Sequence, residues 1–235
     1  LAAKEITIRA DEWCPYNCVP GTPKPGVLIE IANIVFEEAG HKVKYDTMPW
    51  SRAIALTRQG KFDAIVGAYI DDAPDFVFPG IPLAHAIDAF YTLHGSTWTY
   101  QGIESLRTAE IGVIKDYSYG EKMDAYFKER KGKSVWYAAG DTPLKDLIRM
   151  MDAKRVDVLI ANRWVIGNHF QRHRIQANQY REAGVVSLEN VYIAFSPVKQ
   201  SSKIYADILT QGLKDLKKTG TLKRLLTSYG IPSLE

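Results

Sequence analysis

Apolar positions along the chain recur with a spacing that switches between that of strands and that of helices. From Lys4 to Ala10, Ile6 and Ile8 alternate with polar neighbours, which predicts a strand. From Val27 to Ala39, Val27, Leu28, Ile31, Ala32, Ile34 and Val35 form one stripe. Glu30, Asn33, Glu37 and Glu38 lie opposite, which predicts a helix ended by Gly40. Lys42 to Thr47 alternates again, and a helix is expected from Trp50 to Gln59, with Gly60 beyond it. Phe62 to Tyr69 is almost continuously apolar, as in a parallel strand covered on both faces. The intervening DEWCPYNCVPGTPKPG is a loop, because its prolines and glycines do not suit a strand or helix interior. The order to this point is β-α-β-α-β.

A second series follows. Strands are expected at Ile87–Leu93, Glu110–Ile114, Val135–Ala138 and Val156–Ala161, and helices at Gly120–Glu129, Thr142–Ala153 and Arg163–Gln171. Pro143 suits the first turn of its helix. After Gly184, two separate β-rich runs, Val185–Leu188 and Val191–Phe195, precede two closing helices, one after Ser201-Ser202 and one after Gly220. The fold class is therefore α/β. Each half is too short for a complete doubly wound domain, so two small lobes with a cleft between them are expected. In open α/β sheets, ligands settle at the carboxyl ends of the strands. The break at Asp71, Asp72 and Pro74, just past Tyr69, falls at such an end.

Composition narrows the function classes. The 235 residues are 46% hydrophobic and 24% charged, ordinary for a globular protein, and the net charge of +3 is too mild to argue for nucleic acid. No run approaches the ~20 apolar residues of a membrane-spanning helix. The chain starts at Leu1 close before its first strand, and a removed leader peptide is expected. Cys14 and Cys18 are the only cysteines. They read as a small disulfide loop if the protein is exported, with free thiols as the alternative; a zinc site would need two further ligands. His169 and His173 are four residues apart, but no third ligand accompanies them, so no metal is expected. No nucleophile elbow, phosphate loop or dinucleotide fingerprint occurs, and neither a catalytic residue nor a cofactor is assigned.

Several landmarks together resemble the bacterial extracellular solute-binding proteins of family 3, the type II periplasmic binding proteins of the amino-acid transporter class. They are Asp11 with Trp13 to Tyr16, Pro25-Gly26 at the first helix, Gly60-Lys61-Phe62-Asp63-Ala64, the later Lys154-Arg155-Val156-Asp157-Val158, and Tyr229-Gly230-Ile231 near the end. The resemblance implies a two-lobed periplasmic binding protein-like II fold. Lobe 1 would be residues 1–91 with 192–235 and lobe 2 residues 92–191, joined by hinge strands near Ala89–Leu93 and Val191–Phe195. A ligand would be gripped as the lobes close.

The resemblance also locates departures. Where the family's carboxylate-clamping arginine is expected, the chain has Pro74, and where its ammonium-binding aspartate is expected it has Asn162. A small polar ligand other than a standard α-amino acid is therefore expected. Candidate ligand-binding residues in the first lobe are Glu12, Trp13 and Tyr16 of the loop, Trp50, Arg52 as a substitute anion anchor, Tyr69 and Asp71. In the second lobe they are Tyr117, Ser118 and Tyr119 before a helix start that offers an anion seat, with Asn162 and Trp164. The expected role is a non-enzymatic, monomeric, periplasmic solute-binding protein that serves an inner-membrane ABC transporter. A ligand-sensing domain is the alternative, and an enzyme on the same scaffold a third reading.

Overall fold

The structure is a computed structural model describing residues 4–233. The leader junction expected at Leu1 lies outside the described residues. In chain order the elements begin β1 (Glu5–Ala10), α1 (Val27–Glu38), β2 (Lys42–Thr47), α2 (Trp50–Arg58), β3 (Ala64–Ala68) and β4 (Ala84–Leu93). They continue with β5 (Ile111–Ile114), α3 (Glu121–Arg130), β6 (Val135–Ala138), α4 (Pro143–Asp152), β7 (Val158–Asn162) and α5 (Arg163–His173). The last three are β8 (Tyr180–Phe195), α6 (Ser202–Lys218) and α7 (Thr221–Ser228). The helices and strands the periodicity predicts up to Gly184, and the two closing helices, are present. The two runs expected after Gly184 differ: they form one strand of 16 residues, β8. Gly184 and Glu189-Asn190 look like punctuation, but the strand runs through all three; Gly184 does so at φ +136°, where a Cβ would lie 2.9 Å from Tyr100 Cβ.

The chain divides into two compact units, Leu1–His85 with Asn190–Glu235, and Ala86–Glu189. In the first, strands run in the order β2-β1-β3-β8. β1 is parallel to both β2 and β3, and β8 is antiparallel to β3. The second repeats this plan: β6-β5-β7-β4, with β5 parallel to β6 and β7, and β4 antiparallel to β7. β4 and β8 are the strands through which the chain passes from one unit to the other.

The second unit shows why its strands read as unbroken apolar runs. Neighbouring residues enter opposite cores. Leu159 and Ala161 of β7 pack with Leu147, Ile148 and Met151 of α4 and with Ile166 and Phe170 of α5. Val158 and Ile160 pack with Leu106 and with Met123 and Phe127 of α3. The sheet is covered on both faces, as parallel sheets are. In the first unit, α1 and α6 approach closely enough that a Cβ on Gly212 would lie 2.4 Å from Val35 Cγ1. Phe36, Phe195 and Tyr205 meet there in edge-on or tilted ring contacts with centroids 6.0–6.2 Å apart.

Asp63, from the Gly-Lys-Phe-Asp-Ala segment, is a structural clamp. Its Oδ2 accepts from the backbone N–H and the hydroxyl of Thr7 on β1, at 2.8 and 2.7 Å. Its Oδ1 pairs with Lys199 Nζ at 2.5 Å, in the turn before α6. Burial raises the Asp63 pKa, but the Lys199 and Thr7 bonds outweigh it and hold the carboxyl below its ordinary value. Asp157, in the matching segment of the second unit, does the corresponding work: its Oδ2 accepts from the N–H of Glu110, 2.8 Å away, at the start of β5.

Because the folded pKa of Asp63 is depressed, its stabilisation is complete above the unfolded carboxyl value of about 4. It is lost as pH falls through the lower folded value. Asp63→Asn is expected to cost about 2–3 kcal/mol at neutral pH and to flatten the acid limb of stability. Urea unfolding across that pH range measures both effects.

Candidate functional site

Parallel strands that start together also end together. In the first unit, β1, β2 and β3 deliver three chain segments to one sheet edge: Asp11 to Trp13 after β1, Met48 to Trp50 after β2, and Tyr69 to Asp72 after β3. The first is the most constrained. Trp13 and Asn17 bridge through Trp13 N–H to Asn17 O at 2.8 Å and Asn17 N–H to Trp13 O at 3.2 Å. The Cys14–Cys18 disulfide closes the same turn, with Cα atoms 4.4 Å apart. Asn17 Nδ2 donates to Asp11 O at 2.7 Å, tying the loop back to the end of β1.

This loop holds an aromatic cluster. Trp13 stacks on Tyr16 with centroids 4.3 Å apart and 20° between planes, and meets Tyr69 edge-on at 6.1 Å. Trp13 is 8% exposed, whereas Tyr16 is fully buried and donates its hydroxyl to His85 O at 2.7 Å. Tyr16 thus sits as a backing plate behind Trp13. Gly67 makes the arrangement possible. It lies at the register shift in β3 with φ +81°, and a Cβ there would fall 2.8 Å from Asn17 Oδ1 and 3.2 Å from Trp13 Cε3.

Trp50 is the first residue of α2 and is buried; Arg52, on its exposed side, has no ion-pair partner among the described residues. Asp71 and Glu12 are exposed. The turn after β3 is a short 3-10 helix, Ile70–Asp72, whose start is fixed by Tyr69 N–H donating to Asp72 Oδ2 at 2.7 Å. Pro74 lies just beyond it. A nearby arginine, Arg58, is bound bidentately by Asp75 at 2.7 and 3.0 Å, so its charge is spent on the surface of this unit.

The second unit presents the equivalent edge at the ends of β5, β6 and β7. After β5 come Tyr117, Ser118 and Tyr119. The donors that the sequence offers to an anion are used internally: Ser118 Oγ donates to Asp124 Oδ2 at 2.9 Å and Tyr119 N–H to Asp124 Oδ1 at 2.9 Å. The chain's own carboxylate therefore takes up donors of the seat before α3. Tyr119 is buried against Phe127, and its hydroxyl accepts from Ile114 N–H at 3.0 Å. Tyr117, half-buried, is the more accessible of the two rings.

After β7, Asn162 caps α5. Its Oδ1 accepts from Trp164 N–H at 3.0 Å and Val165 N–H at 3.1 Å, as an N-cap does. Trp164 is half-buried beside it. Two features here escaped the sequence reading. Asp88, buried in β4, stands opposite Asn162 in the β4–β7 register; a carboxylate inside an otherwise apolar strand was the available signal. Arg163 forms a fork with Glu182 of β8, at 2.9 and 2.6 Å, and Tyr91 OH donates to the same carboxylate at 3.1 Å. The Arg163 bond holds the Glu182 carboxyl below its ordinary value against the effect of partial burial. No sequence spacing announces that triad. Among the described residues no cluster suited to a metal ion occurs, and no helix is long and apolar enough to cross a membrane.

No protein-family model matches the chain, and no curated protein sequence matches it. Solved structures do. One is a histidine kinase sensor domain with similarity to periplasmic binding proteins, at 20% identity and TM-score 0.79, with 97% of each chain covered. Another is the arginine-, lysine-, histidine-binding protein ArtJ of Geobacillus stearothermophilus, at 15% identity and TM-score 0.76, with 98% of this chain and 97% of that one covered. A third is an ancestral amino acid-binding protein, a precursor of cyclohexadienyl dehydratase, at 17% identity and TM-score 0.71, covering 96% and 94%. These likenesses establish the fold, the α/β fold of the two-lobed periplasmic binding proteins.

Gly67→Ala adds a Cβ at positive φ against Trp13 and Asn17. It is expected to destabilise the protein by about 1–3 kcal/mol and to alter the near-ultraviolet circular dichroism of the Trp13–Tyr16 stack, both read by denaturant titration and spectroscopy.

Proposed function

We propose that this protein is a periplasmic solute-binding protein, exported with removal of a leader, that captures a small polar organic molecule for an inner-membrane ABC transporter. The observation that carries the reading is the gathering of Trp13, Tyr69 and Trp50 at the carboxyl edge of β1, β2 and β3, in a fold shared along almost its whole length with binding proteins. Aromatic faces supply apolar contact area and hold planar or cationic groups at about 0.5–2 kcal/mol each.

In this reading the candidate ligand-binding residues are Glu12, Trp13, Trp50, Arg52, Tyr69 and Asp71 at the edge of the first unit, and Tyr117, Ser118, Asn162 and Trp164 at the edge of the second. Tyr16 and Tyr119 act by supporting their neighbours. The protein works as a monomer that binds without turnover. Arg52 is the anion anchor, since Arg58 is occupied by Asp75 and Pro74 offers no charge. A second reading, a ligand-sensing domain whose closure signals, is favoured by the likeness to the histidine kinase sensor domain.

Native mass spectrometry of freshly purified protein is expected to reveal a co-purified small molecule. Titration of that molecule into stripped protein should shift tryptophan emission, with the shift reduced in Trp13→Phe. If it is anionic, Arg52→Ala should weaken it by at least ~1.5 kcal/mol, the scale of a charged hydrogen bond. A protein that carries no molecule and binds none would end the proposal.

A further inference from the structure

The second unit concentrates positive charge at the end of its sheet away from the candidate site. Val135 of β6, Ile111 of β5 and Val158 of β7 form one row where these strands begin. The chain enters β6 from α3 through Lys128-Glu129-Arg130-Lys131-Gly132-Lys133-Ser134, four cations and one acid in seven residues. Backbone bonds fix its course: Lys133 N–H and Ser134 N–H donate to Arg130 O at 3.0 and 3.2 Å, and Gly132 N–H to Val135 O at 3.0 Å. Lys128, Lys131 and Lys133 are exposed and Arg130 is half-buried. None of these cations forms an ion pair among the described residues. Arg130 lies over the Tyr126 ring at 5.9 Å and Lys131 over Tyr137 at 5.4 Å, so packing on rings holds them. Elsewhere in the row the charges balance, with Glu110 and Asp157 offset by Lys154 and Arg155.

The same corner exposes an indole. Trp136 is the second residue of β6, the outermost strand of its unit, and is 38% exposed. Its Nε1 donates to Glu110 Oε2 at 2.7 Å. The polar atom of the ring is thus satisfied within the protein, and ring carbon is what remains for a partner. Duplex nucleic acid would answer the cations with phosphates but has no apolar layer behind them. An anionic bilayer supplies both: headgroup phosphates that attract lysine and arginine, and beneath them an interfacial layer that favours tryptophan.

We infer that this corner of the second unit, the basic turn before β6 together with Trp136, is a contact surface for an anionic phospholipid membrane. The contact is independent of any ligand, because it lies at the amino ends of β5, β6 and β7, whereas the candidate site of this unit lies at their carboxyl ends.

Sedimentation of the protein with vesicles tests it. Vesicles of phosphatidylglycerol and phosphatidylcholine in equal parts are expected to bind at least about tenfold more tightly than phosphatidylcholine alone, with the difference shrinking as salt is added. Lys131→Glu with Lys133→Glu should remove most of that preference. Lys214→Glu with Lys218→Glu, on the exposed side of α6, makes the same change in net charge and should leave it in place. Vesicles with brominated acyl chains should quench tryptophan emission more in the parent than in Trp136→Phe, which keeps a ring at that position. All of these side chains are exposed, and circular dichroism checks that each variant is folded. Equal binding to both kinds of vesicle, equal losses in the two double variants, or the same quenching in Trp136→Phe would overturn the inference. Duplex DNA bound as tightly as the anionic vesicles, with no dependence on Trp136, would overturn it too.

Discussion

The Asp63 carboxylate joins three pieces of chain that are far apart in sequence. It takes two donors from Thr7 on β1, sits at the entry to β3, and pairs with Lys199 just before α6. Backbone bonds reinforce it, with Asp63 N–H donating to Thr7 O and Ser196 N–H to Asp63 O. Fixing where β1 and β3 begin also fixes where they end, because strands of set length in a parallel pair keep their offset. The loop carrying Trp13 and the turn carrying Tyr69 are thereby brought level. The second unit uses Asp157 and Glu110 in the same way, with a single bond and a more exposed carboxylate. An aspartate that looks like a motif residue is thus a spacer, acting on the site from the opposite end of the strands.

The two units share a plan and differ in what they present. At its edge the first offers rings backed by a disulfide-closed loop, together with the exposed Arg52. The second offers amide and indole groups at the start of α5, while Ser118 and the N–H of Tyr119 are engaged by Asp124. The first edge is suited to surface contact and the second to directional hydrogen bonding.

Most of the architecture was legible because the strand period of about 2 and the helix period of about 3.6 residues are imposed by backbone geometry, and the chain obeys them. What was not legible depends on side-chain partners remote in sequence. Gly184, Glu189 and Asn190 look like breaks, yet β8 runs through them, with Gly184 at a positive φ beside Tyr100. Ser118 looked like an anion seat, but its acceptor is Asp124, six residues on. Asn162 was expected at the site from the resemblance, although its role as the cap of α5 emerges only once the two N–H donors bonded to its oxygen are known. The cysteine pair was readable as a disulfide from spacing and context, and the loop is closed in that way. Tyr16 and Tyr119 could not be told from their more accessible neighbours, since stacked aromatics look alike in a one-dimensional string.

The split of the first unit across the chain also bears on biosynthesis. β3 is bordered by β1 on one side and by the last residues of β8 on the other. As the polypeptide emerges from the ribosome, about a hundred residues of the second unit appear between β3 and that final partner, and the intervening unit is complete first. Until Phe195 has been made, the outer edge of β3 has open hydrogen-bonding groups on an apolar strand, an invitation to pair with the wrong partner. Protection of that edge from mispairing would matter most in that interval.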